Sequence, residues 1–377
     1  MTSKERMLLA MRNEQPDCVP VAPDISNMIP CRLTGKPFWD IYLYHDPPLW
    51  QAYIQAARHF GLDGWLDGMP LQFPYEAEAA ARALKWTEAI VHRTPERIYT
   101  RRHAIIGDAM HWDNWCTVYY EADPPTSGLP LAKAGLPEGP PTDWEDVQPR
   151  THYAGLDAFH AARSMMGDHG VVACCVGLPG IWFGADPVYE YYDHPEKVAA
   201  RCEAQRQATI RRLGEIVQLQ PDFVLIGMSG HMINNPEPIF RKLSLPALKD
   251  YTAICRAADV PTQIHCCGPE YDLVRIAATE TDLDSINPLE IPPMGDCSLA
   301  QVKREFGQRL SLMGNLHTTD VMLKGTPDDV RRASRQAIDD AAEGGGFILS
   351  TGDQCGRDTP DENILAMVET ARGYGRY

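Results

Sequence analysis

The sequence has no apolar run long enough to cross a membrane, and it has little positive charge. Its 377 residues carry 35 lysines and arginines against 51 aspartates and glutamates, a formal net charge of −16. This balance disfavours nucleic acid and anionic membranes as partners, because both attract basic patches. The N-terminal stretch 1–17 is charged throughout and lacks the apolar core of a secretory signal. We therefore expect a cytoplasmic protein.

The sequence also lacks the glycine-rich loop that holds a nucleotide phosphate in doubly wound folds. Its eleven cysteines are an odd number, which argues against a disulfide framework. Most of them should therefore be reduced. Cys174 and Cys175 stand inside an apolar segment, where cysteines usually pack as small hydrophobic side chains.

Short apolar segments alternate with helical patterns along most of the chain, and eight of these segments are predicted strands. They are 18–22, 62–67, 170–176, 222–228, 261–266, 283–287, 309–314 and 346–351. Strands that alternate with helices predict a parallel sheet. Eight of them favour an α/β fold of the (β/α)8 barrel type, with a doubly wound open sheet as the alternative.

One region departs from this alternation. Residues 97–121 alternate polar and apolar side chains, which predicts a small antiparallel β-ribbon. Residues 123–150 are rich in proline and glycine and predict a loop or linker. We therefore predict a single barrel domain over residues 1–377, with a β-ribbon insertion at about 85–150.

A histidine and two cysteines end the predicted strand at 261–266 and continue beyond it. The active site of a (β/α)8 barrel lies at the carboxyl ends of its strands. Side chains alternate along a strand, so His265 and Cys267 share one face while Cys266 points the other way. We predict that His265 and Cys267 are metal ligands and that Cys266 packs in the core. Gly268 would let the backbone turn tightly beside them.

Two further side chains that bind metals follow other predicted strands. Glu290 comes after the strand at 283–287, and Cys355 comes after the strand at 346–351. Both are therefore expected on the same rim as the histidine–cysteine pair. Imidazole, thiolate and carboxylate ligands together suit Zn²⁺. The alternative is that these are loop residues without a common role, and that Glu290 is only a polar side chain at the rim.

Other residues on the predicted rim are candidates for substrate contacts. Met228, His231 and Asn234 follow the strand at 222–228, and Trp182 lies in the loop "GLPGIWFGADP". We predict that these four side chains contact substrate. The alternatives are loop capping for the first three and packing against the barrel for Trp182.

Four segments, spread over most of the chain, resemble the uroporphyrinogen decarboxylase superfamily, and in particular its zinc-dependent methyltransferases that work with corrinoid proteins. They are "KERMLLAMRNEQPDCVPV", "LSLPALKDYTAICRAADVPTQIHCCG", "LMGNLHTTDVMLKGTPDDVRRASRQAI" and "DTPDENILAMVETAR". The resemblance implies a (β/α)8 barrel, in agreement with the number of predicted strands.

The decarboxylase itself is a poor match at its active site. That enzyme holds its tetrapyrrole with an arginine-rich N-terminal stretch, and the matching stretch here, "VPVAPDISNMIPCRL", contains only Arg32. Its catalytic aspartate would align with Pro70, although Asp67 stands close by. We therefore expect no decarboxylation of uroporphyrinogen.

The methyltransferase branch fits better. Its thiol-methylating members carry His-x-Cys followed by a distant cysteine, which His265, Cys267 and Cys355 match. Cobalamin-independent methionine synthase, a more distant relative, adds a glutamate ligand at a place comparable to Glu290. The local sequence "GDQCGRDTP" around Cys355 departs slightly from the family pattern. That departure leaves the subfamily and the substrate open.

The resemblance implies a zinc-dependent methyltransferase that moves methyl between methylcobalamin and a thiol or other small nucleophile. Glu290 would be the catalytic ligand that leaves the zinc. The corrinoid would be carried by a separate protein that docks near Trp182 and Phe183. One alternative is transfer from a methoxylated aromatic, methylamine or halomethane to cob(I)alamin. Another is a non-catalytic, metal-stabilised binding protein. The sequence leaves open the donor, the direction of transfer and the oligomeric state.

Overall fold

The strands of the computed structural model, which describes residues 1–69, 71–151, 153 and 155–377, form one parallel and one antiparallel sheet. In chain order they are β1 (Gly64–Met69), β2 (Thr87–Arg93), β3 (Arg97–Ile106), β4 (Ala109–Trp112), β5 (Trp115–Tyr120), β6 (Thr126–Pro130), β7 (Glu145–Asp146), β8 (Gly170–Gly177), β9 (Phe223–Gly227), β10 (Thr262–His265), β11 (Ser285–Asn287), β12 (Ser311–Leu316) and β13 (Phe347–Thr351).

Helices fill most of the intervals between the parallel strands and also precede the first of them. They are α1 (Ser3–Met11), α2 (Met28–Leu33), α3 (Phe38–Tyr42), α4 (Leu49–Phe60), α5 (Pro74–Arg82), α6 (Leu131–Ala134), α7 (Asp157–Met166), α8 (Ala185–Asp193), α9 (Pro195–Ile216), α10 (His231–Asn234), α11 (Glu237–Leu243), α12 (Leu245–Ala257), α13 (Tyr271–Glu280), α14 (Leu299–Phe306), α15 (Pro327–Ala341) and α16 (Asp361–Tyr374). A π-helical segment, Thr318–Leu323, follows β12.

The chain divides into two compact units. The parallel-sheet unit comprises Met1–Asp24, Ala57–Met69 and Met166–Tyr377. The antiparallel-sheet unit comprises Ile25–Ala56 and Pro70–Met165. The predicted extent of the insertion, about 85–150, stays a prediction.

Seven strands build the parallel sheet in the order β1, β8, β9, β10, β11, β12, β13, and every neighbouring pair is parallel. Helices lie in each connection from β8 onwards, because parallel strands need a crossover that returns the chain to the same end of the sheet. Seven of the eight predicted strands are therefore confirmed, with bounds that differ by at most two residues. The structure shows an α/β fold with a seven-stranded parallel sheet.

The eighth predicted strand, 18–22, is not a regular strand. Val21 forms an isolated parallel bridge with Leu349 of β13, and its carbonyl oxygen accepts a hydrogen bond from the backbone N–H of Asp63, just before β1. Pro20 and Pro23 flank this bridge, and a proline cannot donate to a ladder of backbone hydrogen bonds. A complete eight-stranded barrel is therefore not established by the strand ladder.

The core of the parallel-sheet unit includes a cluster of alternate strand residues beneath α1. Val171 and Ala173 of β8 and Phe223 and Leu225 of β9 are buried in it, two residues apart as side chains on one face of a strand must be. Met7 of α1 packs on the same cluster. This end of the sheet is therefore closed by apolar packing, opposite to the carboxyl ends of the strands.

A buried ion cluster supports the beginning of β1. The carboxylate of Asp63 is fully buried and accepts hydrogen bonds from Arg6 Nη1 at 2.7 Å and from the backbone N–H of Val21 at 2.8 Å. Arg372 Nη1 lies 2.9 Å from Asp63 Oδ2, the oxygen that also accepts from Val21. One carboxylate thus joins α1, the segment before β1 and α16.

The antiparallel-sheet unit contains six strands, ordered β6, β5, β3, β2, β7, with β4 paired to β3. The predicted ribbon over 97–121 is confirmed as β3, β4 and β5. Three more strands, β2, β6 and β7, were not predicted, and two of them lie within the stretch predicted as a loop. Tyr99 and Val118, which pair across β3 and β5, belong to the buried core of this sheet.

Candidate active site

The predicted ligands His265 and Cys267 lie at the carboxyl end of β10. His265 is the last residue of the strand and is half-buried, as is Cys267. Cys266 is fully buried between them, and its backbone N–H donates to the carbonyl of Asn287 at 2.9 Å. The strand alternation thus separates the two cysteines as predicted, with Cys266 in the core.

The imidazole of His265 is held in its neutral form. Burial lowers its pKa, and the nearby carboxylates of Asp353 and Asp67 raise it by less. Its Nδ1 is buried, and among the described residues it has no hydrogen-bond partner. Asn287 lies beside the ring, and its Oδ1 has none either. A neutral ring with a free buried nitrogen is the form in which histidine binds metals.

Glu290 reaches back from the loop after β11 to the neighbourhood of Cys267. Its Oε2 accepts a hydrogen bond from the backbone N–H of Gly268 at 2.5 Å. Burial raises the pKa of Glu290, and the charge of Asp353 raises it further, whereas the Gly268 bond and His317 lower it. Burial also raises the pKa of Cys267 to about 11, with smaller contributions from Asp353 and Glu290.

Cys355 lies after β13 and is fully buried. Its backbone N–H donates to the carbonyl of Asp24 at 2.8 Å, which fixes the loop to the N-terminal segment. Burial raises the pKa of its sulfur to about 12, although hydrogen bonding with Thr351 and Thr359 lowers it. Without a cation nearby, both candidate cysteines are therefore protonated at neutral pH.

Asp353 is a functional candidate that the sequence analysis missed. Its charge acts on the pKa of each of the four predicted ligands, His265, Cys267, Glu290 and Cys355. It is half-buried, two residues before Cys355. All four therefore lie within electrostatic range of Asp353, after β10, β11 and β13. The only sequence signal was its place beside a predicted ligand.

The four predicted ligands are not closed around a common point in the structure. Within the part of the chain that the structure describes, no group of three or more His, Cys, Asp or Glu side chains is arranged to hold a metal ion. The chemistry of the donors nevertheless fits Zn²⁺. The buried Nδ1 of His265 makes no hydrogen bond of good geometry among the described residues, although Asn287 interacts with the ring. The zinc ligand set stays a prediction.

Solvent reaches the same end of the sheet at β1 and β8. Asp67 and Cys175 are both exposed, yet enough protein surrounds them to raise the pKa of Asp67 and to raise that of Cys175 to about 11. Asp67 also acts electrostatically on His265. This part of the sheet end is therefore accessible to solvent. Pro70, which stands at the decarboxylase's aspartate position, lies outside the described residues.

The four predicted substrate contacts lie at different depths. Met228 and His231 are buried, and burial lowers the pKa of His231 to about 4. Asn234 Nδ2 donates to the carbonyl of Trp182 at 3.0 Å, while the Trp182 side chain is 53% exposed. The Trp182 side chain is therefore accessible at the surface, whereas those of Met228 and His231 are not. Their roles in substrate binding stay predictions.

Comparisons with known proteins identify the family that this chain resembles. Residues 188–374 match the family described as uroporphyrinogen decarboxylase (URO-D). Among curated proteins, methylcobamide:CoM methyltransferase MtbA of Methanosarcina mazei is 30% identical over 135 residues, and MtbA of Methanosarcina acetivorans is 29% identical over the same length. Each match covers 36% of this chain and 37% of the relative, so the chain matches little more than a third of their length.

A solved structure, a methyltransferase from Methanosarcina mazei, matches the whole chain. Its TM-score is 0.65 at 17% sequence identity, with 99% of each chain covered, which shows a shared fold. The predicted resemblance to the corrinoid methyltransferase branch of this superfamily is confirmed by these matches. Among the described residues, no helix is long and apolar enough to span a membrane.

Proposed function

From this confirmed resemblance to the uroporphyrinogen decarboxylase superfamily, we propose that the chain is a zinc-dependent methyltransferase acting between methylcobalamin and a thiol. The corrinoid is carried by a separate corrinoid protein. The observation that supports this most is that His265, Cys267, Glu290 and Cys355 all lie at the carboxyl ends of parallel strands and within electrostatic range of Asp353. We also propose that the segment around Val21 completes the sheet as the eighth strand of a barrel.

The protein residues would bind the metal through one neutral imidazole, two cysteine sulfurs and one carboxylate. Bound Zn²⁺ would keep a substrate thiol in its thiolate form at neutral pH. His265 already has the neutral ring that this role needs, because burial disfavours its protonation. Cys267 and Cys355 lose their protons when they bind the ion, since their own pKa values are high.

In the reaction, the new bond joins the substrate sulfur to the methyl carbon as the cobalt–carbon bond breaks. The electron pair of that bond stays on cobalt as cob(I)alamin, and the thiol has already released its proton on binding. The solvent-exposed sheet end at Asp67 would be the side from which a large docked cofactor approaches. The chain's residues thus bind and orient the thiol while the partner supplies the methyl group.

Glu290 is the proposed ligand that leaves when the thiol arrives. Carboxylate is the hardest of the four donors, so a soft thiolate replaces it most readily. The exchange also removes one negative charge as another enters. We expect Glu290→Gln to keep most of its zinc while thiol affinity and rate change by about tenfold or more.

X-ray absorption of the zinc-loaded protein, with and without thiol, tests this exchange. One oxygen or nitrogen neighbour should be replaced by sulfur in the wild type. A coordination shell that stays constant while a productive thiol is methylated would rule out the displacement of Glu290. The visible spectrum of cobalamin reports methyl transfer in the same samples, in either direction. Decarboxylation of uroporphyrinogen by the protein would contradict the proposed class of reaction.

An exposed apolar patch beside the candidate site is the proposed contact with the corrinoid protein. Trp182, Phe183 and Ile233 are each more than half exposed. Phe183 lies over Gly230, where an added Cβ would meet its ring at 2.8 Å, and Ile233 lies near Gly268. The patch therefore adjoins the loop that follows β10 and carries Cys267.

We expect Phe183→Ala and Trp182→Ala to slow methyl transfer from the corrinoid protein by about tenfold each, because exposed aromatic residues often anchor interfaces. Transfer from free methylcobalamin should change much less. Leu365→Ala, at another exposed apolar residue on α16, is the matched control and should affect neither reaction. Equal losses with free and protein-bound methylcobalamin would place these residues in the substrate site instead of the docking surface.

A further inference from the structure

His317 lies beside Glu290 at the carboxyl end of the parallel sheet. It directly follows β12, and its side chain is 17% exposed. Together with Glu290, Asn315, Thr318 and Thr319 it lines a cavity of about 70 Å³. A water molecule needs about 10–15 Å³ of cavity volume measured in this way. The cavity is therefore large enough for a carboxylate group but too small for a corrinoid or another large ligand.

The surrounding backbone fixes which nitrogen of His317 carries the proton. Nδ1 accepts hydrogen bonds from the backbone N–H groups of Thr319 at 3.2 Å and Asp320 at 3.0 Å. A nitrogen that accepts hydrogen bonds carries no proton, so the neutral ring is protonated at Nε2.

That Nε2–H group is available to a ligand. Asp320 Oδ2 lies 3.9 Å from Nε2, which is beyond hydrogen-bond distance. Among the residues that the structure describes, Nε2 donates no hydrogen bond. His317 therefore presents one fixed, unused donor next to a cavity that Glu290 also lines.

In the structure, the carboxylate of Glu290 is bound beside Cys267 and not to His317. Its Oε2 is bound to the backbone N–H of Gly268, next to Cys267. Glu290 and His317 nevertheless line the same cavity. The carboxylate thus has one donor beside the predicted ligands and a second donor at the neighbouring cavity.

We propose that the cavity lined by His317 receives the carboxylate of Glu290 when a substrate thiolate replaces it, with Nε2–H as the hydrogen-bond donor. This inference rests on the proposed function, because it requires Glu290 to leave the metal. A displaced, buried carboxylate without a donor is costly. His317 is thus a positioning residue that favours thiol binding by stabilising the displaced Glu290.

The first test observes His317 directly. Full-length protein labelled with ¹⁵N-histidine is loaded with Zn²⁺ and titrated with 2-mercaptoethanol, and long-range ¹H–¹⁵N spectra report the protonated ring nitrogen. The His317 signal is identified by its absence in His317→Gln. We expect protonation at Nε2 throughout, with a downfield shift of that proton on thiol binding in the wild type but not in Glu290→Gln. An unchanged signal while thiol binds would overturn the inference.

The second test separates hydrogen bonding from packing. His317→Leu removes the donor, and we expect about tenfold weaker binding of 2-mercaptoethanol, as for the loss of one hydrogen bond to a charged group. His317→Gln retains an N–H donor and should recover part of this loss. Zinc content should stay at the wild-type value in both, and KM for the thiol should rise more than kcat falls. The melting temperature should fall slightly in His317→Leu, because leucine cannot accept the backbone hydrogen bonds of Thr319 and Asp320. Wild-type thiol affinity in His317→Leu would contradict the proposal.

The outcomes also distinguish this inference from the proposed function. Zinc binding and methyl transfer from methylcobalamin are measured on the same samples. If both are present and neither the His317 signal nor the thiol affinity responds, only the role of His317 is wrong. If the wild-type protein binds no zinc, both proposals fail, because Glu290 then has no metal to leave.

Discussion

Replacing Cys267 or Cys355 by serine is expected to remove nearly all zinc from the protein and to abolish methyl transfer. Serine does not ionise near neutral pH, so each change removes one of two thiolate ligands. The binding free energy of a four-ligand zinc site is of order 10 kcal/mol or more. Losing one strong ligand should therefore weaken binding by about a hundredfold or more. Elemental analysis after dialysis against a weak chelator measures this directly.

Cys266 provides the matched control for this pair. It stands next to Cys267 in the chain but is fully buried in the core. We expect Cys266→Ala to retain zinc in full, with only a modest loss of stability from the smaller side chain. Full zinc content in both Cys267→Ser and Cys355→Ser would disprove the ligand assignment. Equal loss in all three variants would instead indicate a general disturbance of the strand end.

Replacing Asp63 by asparagine is expected to lower the free energy of unfolding by about 3–5 kcal/mol, as in other buried ion pairs that lose one partner. The change leaves Arg6 and Arg372 without their shared buried counter-charge. It also weakens the bond from Val21 to the beginning of β1. Urea unfolding followed by circular dichroism measures the effect.

Asp17 is the matched control, because it pairs with the same Arg6 but is 43% exposed. We expect Asp17→Asn to cost about 1 kcal/mol or less, since solvent screens the pair. The hydrogen bond from Arg6 lowers the pKa of Asp17 from 3.8 to about 2. Its contribution to stability is therefore present above pH 4 and is lost as the pH falls towards 2. If Asp63→Asn and Asp17→Asn lowered the free energy of unfolding by similar amounts, burial would not decide the strength of these ion pairs.

The alternation of apolar segments and helices was enough to locate seven parallel strands. Segments such as Gly170–Gly177 and Phe347–Thr351 are apolar because both faces of a parallel sheet are covered, and this pattern is visible in the chain itself. The antiparallel sheet was only partly predictable. β6 and β7 are short and lie in a stretch rich in proline and glycine, so their pairing depends on partners distant in sequence.

The sequence by itself determined the ends of the parallel strands and thus which side chains follow them. Strand periodicity is local, so it separated Cys266 from Cys267 and placed Glu290 and Cys355 on the same rim. Tertiary structure alone decided how Asp353 and His317 join this group. Asp353 acts through its electrostatic field on residues that follow other strands, and His317, after β12, lines a cavity with Glu290, after β11. Both relations depend on distances between different strands. Burial likewise sets the protonation of His265 and the two cysteines, because desolvation depends on all the atoms packed around a group.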